Sequence, residues 1–367
     1  MHRRALLISL LALAGGVRAQ ALGVTRRPLV FPRDFGAHPD TRTEWWYATG
    51  WLQAADAVTA AADDAPTHGF QVTFFRSRTD VDAAHDSAFA ARQLVFAHAA
   101  VTDVAAKTLR HDQRIARAGF GIAEASTADA AVTLRDWQLR RSGPATASRY
   151  RAHVQSDAAA FALDLELAAT QPVLLQGDAG FSRKGPHAGQ ASHYYSQPQL
   201  AVSGTLRLDA RTLPVRGRAW LDHEWSETVL APEAVGWDWI GMNLFDGSAL
   251  TAFRIRRADG STLWTGGSFR RAGEVQAHTF SGDDLRFTPG RRWSSPSTRA
   301  SYPVEWTLQT PAGRFRVQPL VDAQELDSRA STGTVYWEGL SELQDANGRA
   351  VGRGYLEMTG YASRMRL

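Results

Sequence analysis

The chain has no cysteine in 367 residues and only four methionines. That first absence excludes a disulfide framework, a thiolate nucleophile, a cysteine-ligated metal and a lipid-anchored cysteine, so stability must come from apolar cores and hydrogen-bonded sheets. After the amino-terminal segment no apolar run approaches the roughly 20 residues of a membrane-crossing helix. No stable membrane span is expected. There is no G-x-S-x-G elbow and no S-x-x-K for a serine nucleophile, and no H-x-x-x-H or H-E-x-x-H pair for zinc. The glycine-rich stretches lack a phosphate-binding lysine, which speaks against a nucleotide. No Lys/Arg cluster accompanies the aromatic residues, which argues against nucleic acid. Neither a metal nor a cofactor is expected.

What is present is apolar and aromatic: 44% of residues are hydrophobic and 10% aromatic, with twelve tryptophans. The length exceeds the size at which one core keeps growing, so two domains are the default. At the amino end Arg3 and Arg4 precede an apolar run over 5–14, and Val17-Arg18-Ala19 supplies small cleavage-site residues. This reads as a signal peptide over 1–19 rather than a membrane span. The protein is therefore expected in the periplasm or secreted, by the Sec route, with the arginine pair also suiting the twin-arginine route. Loss of Arg3, Arg4 and Arg18 takes 41 basic residues to 38 against 37 acidic ones. The remaining charge says little about partners.

Alternation of apolar residues predicts strands over 44–52, 69–76, 93–102, 131–139, 150–155 and 161–167. Gly50 inside the first marks a bulge or a close backbone approach. Residues 53–68 read as a hairpin loop, 78–92 as holding a short helix, and 176–200 as a long ordered loop ending in a strand. Strand signals resume at 200–208 and 215–221. A meander over 237–269 carries Asp246-Gly247 and Asp259-Gly260 hairpin turns, and 304–309, 314–319, 333–340 and 351–360 complete it. The pattern implies an all-β fold of two antiparallel barrels packed together, with a boundary near residue 205: a first barrel over 20–205 and a second over 206–367.

The densest mixture of ionisable and aromatic groups lies at 219–246. Alternation puts Trp220, Asp222 and Glu224 on one strand face and Leu221, His223 and Trp225 on the other. With Trp237, Asp238 and Trp239 they are expected to converge on one solvent-poor hollow, because unpaired charge in an apolar core is costly and acids among aromatics suit acid–base chemistry. Glu44 beside Trp45, Trp46 and Tyr47 is the matching cluster in the first half, and Tyr194-Tyr195 offers phenols. Tyr336-Trp337-Glu338 and Tyr355-Leu356-Glu357 repeat the neighbourhood late in the chain and read as structural.

Six stretches, HPDTRTEWWYATGWL at 38–52, GFQVTFFRSR at 69–78, GFSRKG with ASHYYSQPQL at 180–200, AWLDHEWS at 219–226, GWDWIGMNLFDGSAL at 236–250, and YWEGL with GRGYLEMTGY at 336–361, carry a resemblance. In them the chain resembles the carotenoid 1,2-hydratase (hydroxyneurosporene synthase) family and the wider AttH-type secreted proteins. The resemblance implies two lipocalin-like β-barrels. It also implies an apolar, isoprenoid or lipid-like ligand and acid-catalysed addition of water to a C=C bond, with His223 and Trp225 matching the implicated HEW motif. In such a hydratase Asp222 or Asp238 protonates the alkene, Trp225, Trp237 or Trp239 stabilises the cation, and His223 handles the water. Glu44, Trp45, Trp46, Tyr195, Trp237 and Trp239 complete the expected ligand-binding set. A periplasmic carrier serving an ABC transporter permease is the main alternative, and a pericyclase-like catalyst that folds a polyene by shape, without water, is a further one.

Overall fold

The structure, a computed structural model, describes residues 23–54, 65–82, 84–228 and 230–365. The expected signal peptide and most of the loop at 53–68 lie outside the described residues. Among those described, helix is limited to two 3-10 turns, Arg33–Phe35 and Gly282–Asp284, and the remaining regular structure is antiparallel strand. The local cause is the alternation itself. Strand Phe161–Ala168 buries Phe161, Leu163, Leu165 and Leu167 and leaves the residues between them more open.

Thirteen strands form the first sheet, which runs from Thr108–Arg117 through Gln93–Asp103, His68–Arg78, Thr43–Ala54, Arg211–Ser226 and Ala191–Leu208 to Phe161–Ala168, and on to Ala123–Ala125. It curls until Arg110 of the first edge strand meets Asp209 at 2.8 Å and Arg114 meets the Gln155 carbonyl at 2.9 Å. A nearly closed barrel results, filled by residues such as Trp46, Trp137, Tyr150 and Trp225. The second sheet has ten strands. Its edges, His278–Ser281 and Arg286–Pro289, are consecutive in the chain and joined by Gly282–Asp284, so it too curls back towards closure. Two tandem lipocalin-like barrels are thus what the strand pattern builds.

Several local expectations change. Residues 78–92 hold turns and no described helix. The stretch at 176–200 contains strand Phe181–Arg183, and the long strand Ala191–Leu208 begins nine residues before the expected 200. A register shift between Gln197 and Leu200, with Gln199 at φ +57°, interrupts the alternation there. The boundary near 205 falls inside that strand, and the sheets change only between Ser226 and Ala234. Strand Thr108–Arg117 has no apolar face to announce it: as a sheet edge, it tolerates a charged sequence.

The barrels meet along the outer faces of their central strands. Tyr47, Trp51 and Trp220 of the first pack with Trp239, Phe253, Leu340 and Tyr355 of the second as a separate apolar cluster. The Asn243 side chain ties the seam, donating to the Ala219 carbonyl and accepting from the Gln199 amide. Two glycines permit close approaches. A Cβ on Gly50 would lie 2.4 Å from the Arg218 carbonyl oxygen, which is the close approach expected there, and one on Gly241 would lie 2.4 Å from the Trp239 ring.

Candidate functional site

Strand alternation sorts the candidate residues into three places. Trp45, Asp222, Trp237 and Trp239 face a cavity between the barrels, whose volume is about 880 Å³ with its open mouth. Glu44, Trp46, Tyr195, His223 and Trp225 point the opposite way, into the packed first barrel. Asp238 lies in the second barrel, ion-paired with Arg254 (2.7 Å) and Arg256 (3.0 Å) and accepting from the Tyr361 hydroxyl (2.8 Å). The expected convergence of 219–246 on one hollow is met in part: Asp222, Glu224, Trp237 and Trp239 reach the cavity, while His223, Trp225 and Asp238, as their strand neighbours, face the other way.

The buried cluster of the first barrel is a hydrogen-bonded charge network. Glu44 Oε1 accepts from His38 Nδ1 (2.7 Å) and His223 Nε2 (2.8 Å), and its Oε2 accepts from Arg76 Nε and the His38 amide, each at 2.8 Å. Burial by itself would raise the Glu44 carboxyl. The hydrogen bonds from His223 and His38 outweigh it and hold the group below the usual carboxylate range. Burial lowers His223, which stacks on Trp46 at 4.6 Å and meets the Tyr195 hydroxyl at 3.0 Å. The ligand atoms of His38, Glu44 and His223 lie within 4.8 Å of one another. Their N···O separations are nevertheless those of hydrogen bonds, shorter than the roughly 3.3 Å that two ligands at about 2.0–2.1 Å from a tetrahedral zinc would keep. Arg76 already neutralises the carboxylate, so the arrangement suits protons better than a metal ion.

The cavity is of a different kind. Its apolar wall is aromatic, from Trp45, Tyr47, Phe75 and Tyr194 on the first barrel and Trp237, Trp239 and Phe253 on the second. Four carboxyl groups also face it. Asp222 is enclosed by three donors: the Tyr194 hydroxyl (2.8 Å), the Trp220 indole (2.7 Å) and the Ser196 hydroxyl. Burial still pushes its carboxyl up to about 7. Glu224 accepts from Ser192 and pairs at 3.0 Å with Lys184, whose ammonium also sits over the rings of Phe253 (4.2 Å) and Tyr194 (4.6 Å).

The other two acids, Glu338 and Glu357, stand directly opposite each other on the paired strands Thr334–Gln344 and Ala350–Met358. Burial, then the Glu357 charge, pushes Glu338 well above the carboxylate range; burial, then the charges of Asp222 and Glu224, pushes Glu357 up to about 8. Two such carboxyls cannot both ionise cheaply, so one proton stays on the pair near neutral pH. Glu338 Oε2 accepts from Gln71 Nε2 at 2.8 Å, and the Tyr47 hydroxyl also partners this carboxyl, which works against its upward shift. A protonated Glu338 carboxyl lies in the cavity lining, where a guest would meet it. Beside it, the Tyr336 hydroxyl meets His98 Nδ1 at 2.7 Å, and His98, lowered to about 3 chiefly by burial, stays neutral.

Tyr194 lines the cavity as one of the two phenols offered by the sequence and Tyr47 as part of the Glu44 cluster, whereas Gln71, Lys184, Glu338 and Glu357 are not singled out as ligand-facing by the sequence. The signal for the last two is the repeated Tyr-x-Glu spacing of Tyr336/Glu338 and Tyr355/Glu357, which at a period of two places phenol and carboxyl on one face.

A family model described as AttH-like matches residues 23–361. Among solved structures, the AttH candidate from Nitrosomonas europaea is 46% identical over 92% of this chain and 98% of its own, with a TM-score of 0.82. Kievitone hydratase from Nectria haematococca shares the fold at 15% identity and TM-score 0.67, over 92% of this chain and 94% of its own. CghA, solved with Sch210972, does so at 12% identity and TM-score 0.52, over 88% and 89%. No curated protein sequence matches. With a family model spanning nearly all the described residues and a 46% identical relative of the same architecture, the chain belongs to the AttH-like family.

Proposed function

We propose that the cavity between the barrels binds an apolar, isoprenoid- or lipid-like molecule and adds water across one of its C=C bonds without a cofactor. The observation that carries this reading is the Glu338–Glu357 pair: two carboxyls, the first buried and the second half-buried, standing opposite each other in the wall of an aromatic cavity. A site meant only to hold an apolar guest has no use for acids that burial makes costly. As a proton source they are well matched, since a carboxylic acid kept neutral at physiological pH can protonate an alkene.

In this scheme Glu338 gives its proton to one alkene carbon, and the faces of Trp45, Trp237 or Trp239 stabilise the cation left on the other. Water held along the polar wall of Gln71, His98 and Tyr336 adds to that cation. The resulting oxonium is a strong acid and returns a proton to the carboxylate pair, which closes the cycle. Asp222 takes a supporting part, because its oxygens are engaged by Tyr194, Trp220 and Ser196 and hold Tyr194 in the wall. His223, Trp225 and Asp238 act through the framework, since they face away from the cavity. Distant fold relatives include a hydratase, which is consistent with this chemistry on such a scaffold.

The test is to extract and weigh the molecule that co-purifies with wild type and with Glu338→Gln. The expected result is a hydrated product from wild type and the parent alkene, lighter by one water, from the variant. The same unchanged molecule from both proteins would leave the carrier role, with hand-over to an ABC permease, as the better reading.

A further inference from the structure

Seven large apolar residues are exposed among those described, and four of them, Phe89, Ile115, Phe120 and Ile122, lie at one end of the first barrel. Phe89 and Phe120, 71% and 57% exposed, come from separate loops. Their rings nevertheless stack at 5.5 Å with an interplanar angle of 4°. Arg117 spreads its guanidinium over both rings, 5.2 Å from Phe89 and 4.1 Å from Phe120. Such protruding apolar surface costs solubility unless something uses it.

The strand register shows where this end leads. Ile115 is paired with Phe96, Phe96 with Phe75, and Phe75 with Trp45, so the four side chains form one row on the outer face of four neighbouring strands. Trp45 and Phe75 line the cavity; Ile115 is 40% exposed and lies two residues before Arg117 on the same strand. An unbroken apolar row thus connects the exposed aromatic pair with the cavity wall.

We propose that this end docks on a phospholipid bilayer and that the row from Ile115 to Trp45 is the path by which an apolar ligand leaves the lipid for the cavity. The inference rests on the reading that the cavity takes an apolar guest, whose natural reservoir is a membrane. Rings carried on loop tips suit shallow insertion, and a guanidinium fixed behind them sits at the depth of lipid phosphates. The exposed Asp82 and Asp86 in the Phe89 loop offset Arg92 and Arg117. Attachment is therefore led by the aromatic side chains, with the phosphate contact of Arg117 in support.

The experiment is co-sedimentation of the protein with phosphatidylcholine vesicles, with and without phosphatidylglycerol, for wild type and the double variant Phe89→Ser/Phe120→Ser. Wild type is expected to pellet with both vesicle types and to stay bound in high salt, and the double variant to bind at least tenfold more weakly. Cavity binding is read separately, from quenching of tryptophan emission by anilinonaphthalene sulfonate in solution. It is expected to be equal in the two proteins, which also reports that the variant is folded. Wild type remaining in the supernatant, or pelleting no better than the double variant, overturns the docking proposal. So does self-association of wild type that the double variant abolishes without any vesicle binding, which would make the patch a contact between copies. Failure of the dye to bind wild type while vesicle binding persists would count against the cavity reading and leave docking standing.

Discussion

Glu338 and Glu357 face each other across an antiparallel strand pair at the wall of the cavity between the barrels, with the Gln71 side-chain amide donating to one oxygen of Glu338. Carboxyls so placed bind a proton more tightly in the folded chain than in the unfolded one. That difference gives the site both its proposed chemistry and a signature in stability.

The sign of the signature is fixed. Glu357 is raised from the ordinary carboxylate value to about 8, so between these values the folded state holds a proton that the unfolded state has lost. The protonated pair is least costly below the unfolded value, and stability falls as pH rises towards 8. Urea midpoints at pH 5, 7 and 9 should decline for wild type by the equivalent of a few kcal/mol, and should decline much less for Glu357→Gln. Equal slopes for the two proteins would contradict the raised value.

Glu338→Gln and Asp222→Asn should separate the two acids. Removing the Glu338 proton should lower turnover of the extracted ligand by at least about a hundredfold, the scale of general-acid catalysis. Asn at 222 keeps an acceptor for part of the Tyr194, Trp220 and Ser196 cluster, and turnover should fall by less than about tenfold. The reverse order would move the proton donor to Asp222.

Trp45 is only partly buried but lies along the cavity wall. Trp45→Ala should therefore weaken ligand binding by about tenfold or more, the loss of roughly 1.5–2 kcal/mol of aromatic contact. Its effect on the urea midpoint should be small. Titration of tryptophan emission checks the first expectation, and a large stability loss with unchanged affinity would mean that Trp45 is a structural residue.

Arg76→Met addresses the enclosed network instead. It leaves Glu44 buried with less compensating charge, so the protein should lose about 3–5 kcal/mol of stability. Ligand affinity of the protein that remains folded should be unchanged, because Glu44 and His223 face the barrel interior. A variant as stable as wild type but unable to bind would place this network in the ligand site.

The fold was largely legible in the sequence, because a half-buried strand writes its period of two directly into the chain, as at Phe161, Leu163, Leu165 and Leu167. Thr108–Arg117 was not, since its charged edge position removes the apolar face. For the site, the stretch at 219–246 is dense in acids and indoles, yet only one of its two strand faces, with Asp222, Glu224, Trp237 and Trp239, reaches the cavity. The same alternation that revealed the strands sends Asp222 to the cavity and His223 to the barrel interior, and it separates Trp237 and Trp239 from Asp238. Glu338 and Glu357 come from late strands whose cavity-facing side only tertiary packing decides. Lys184 arrives from the turn-rich stretch before the long strand at Ala191, where no period predicts a direction.

Infrared difference spectroscopy of the carboxyl C=O stretch across a pH titration tests the central claim most directly. Wild type is predicted to show a protonated-carboxyl band at pH 7 that loses intensity as pH rises through about 8, where Glu357 ionises, with the Glu338 contribution persisting to higher pH. The band should be missing from the Glu338→Gln/Glu357→Gln double variant. A wild-type spectrum at pH 7 with no protonated band beyond that of the double variant would show that the pair is ionised, and would contradict its role as the proton source.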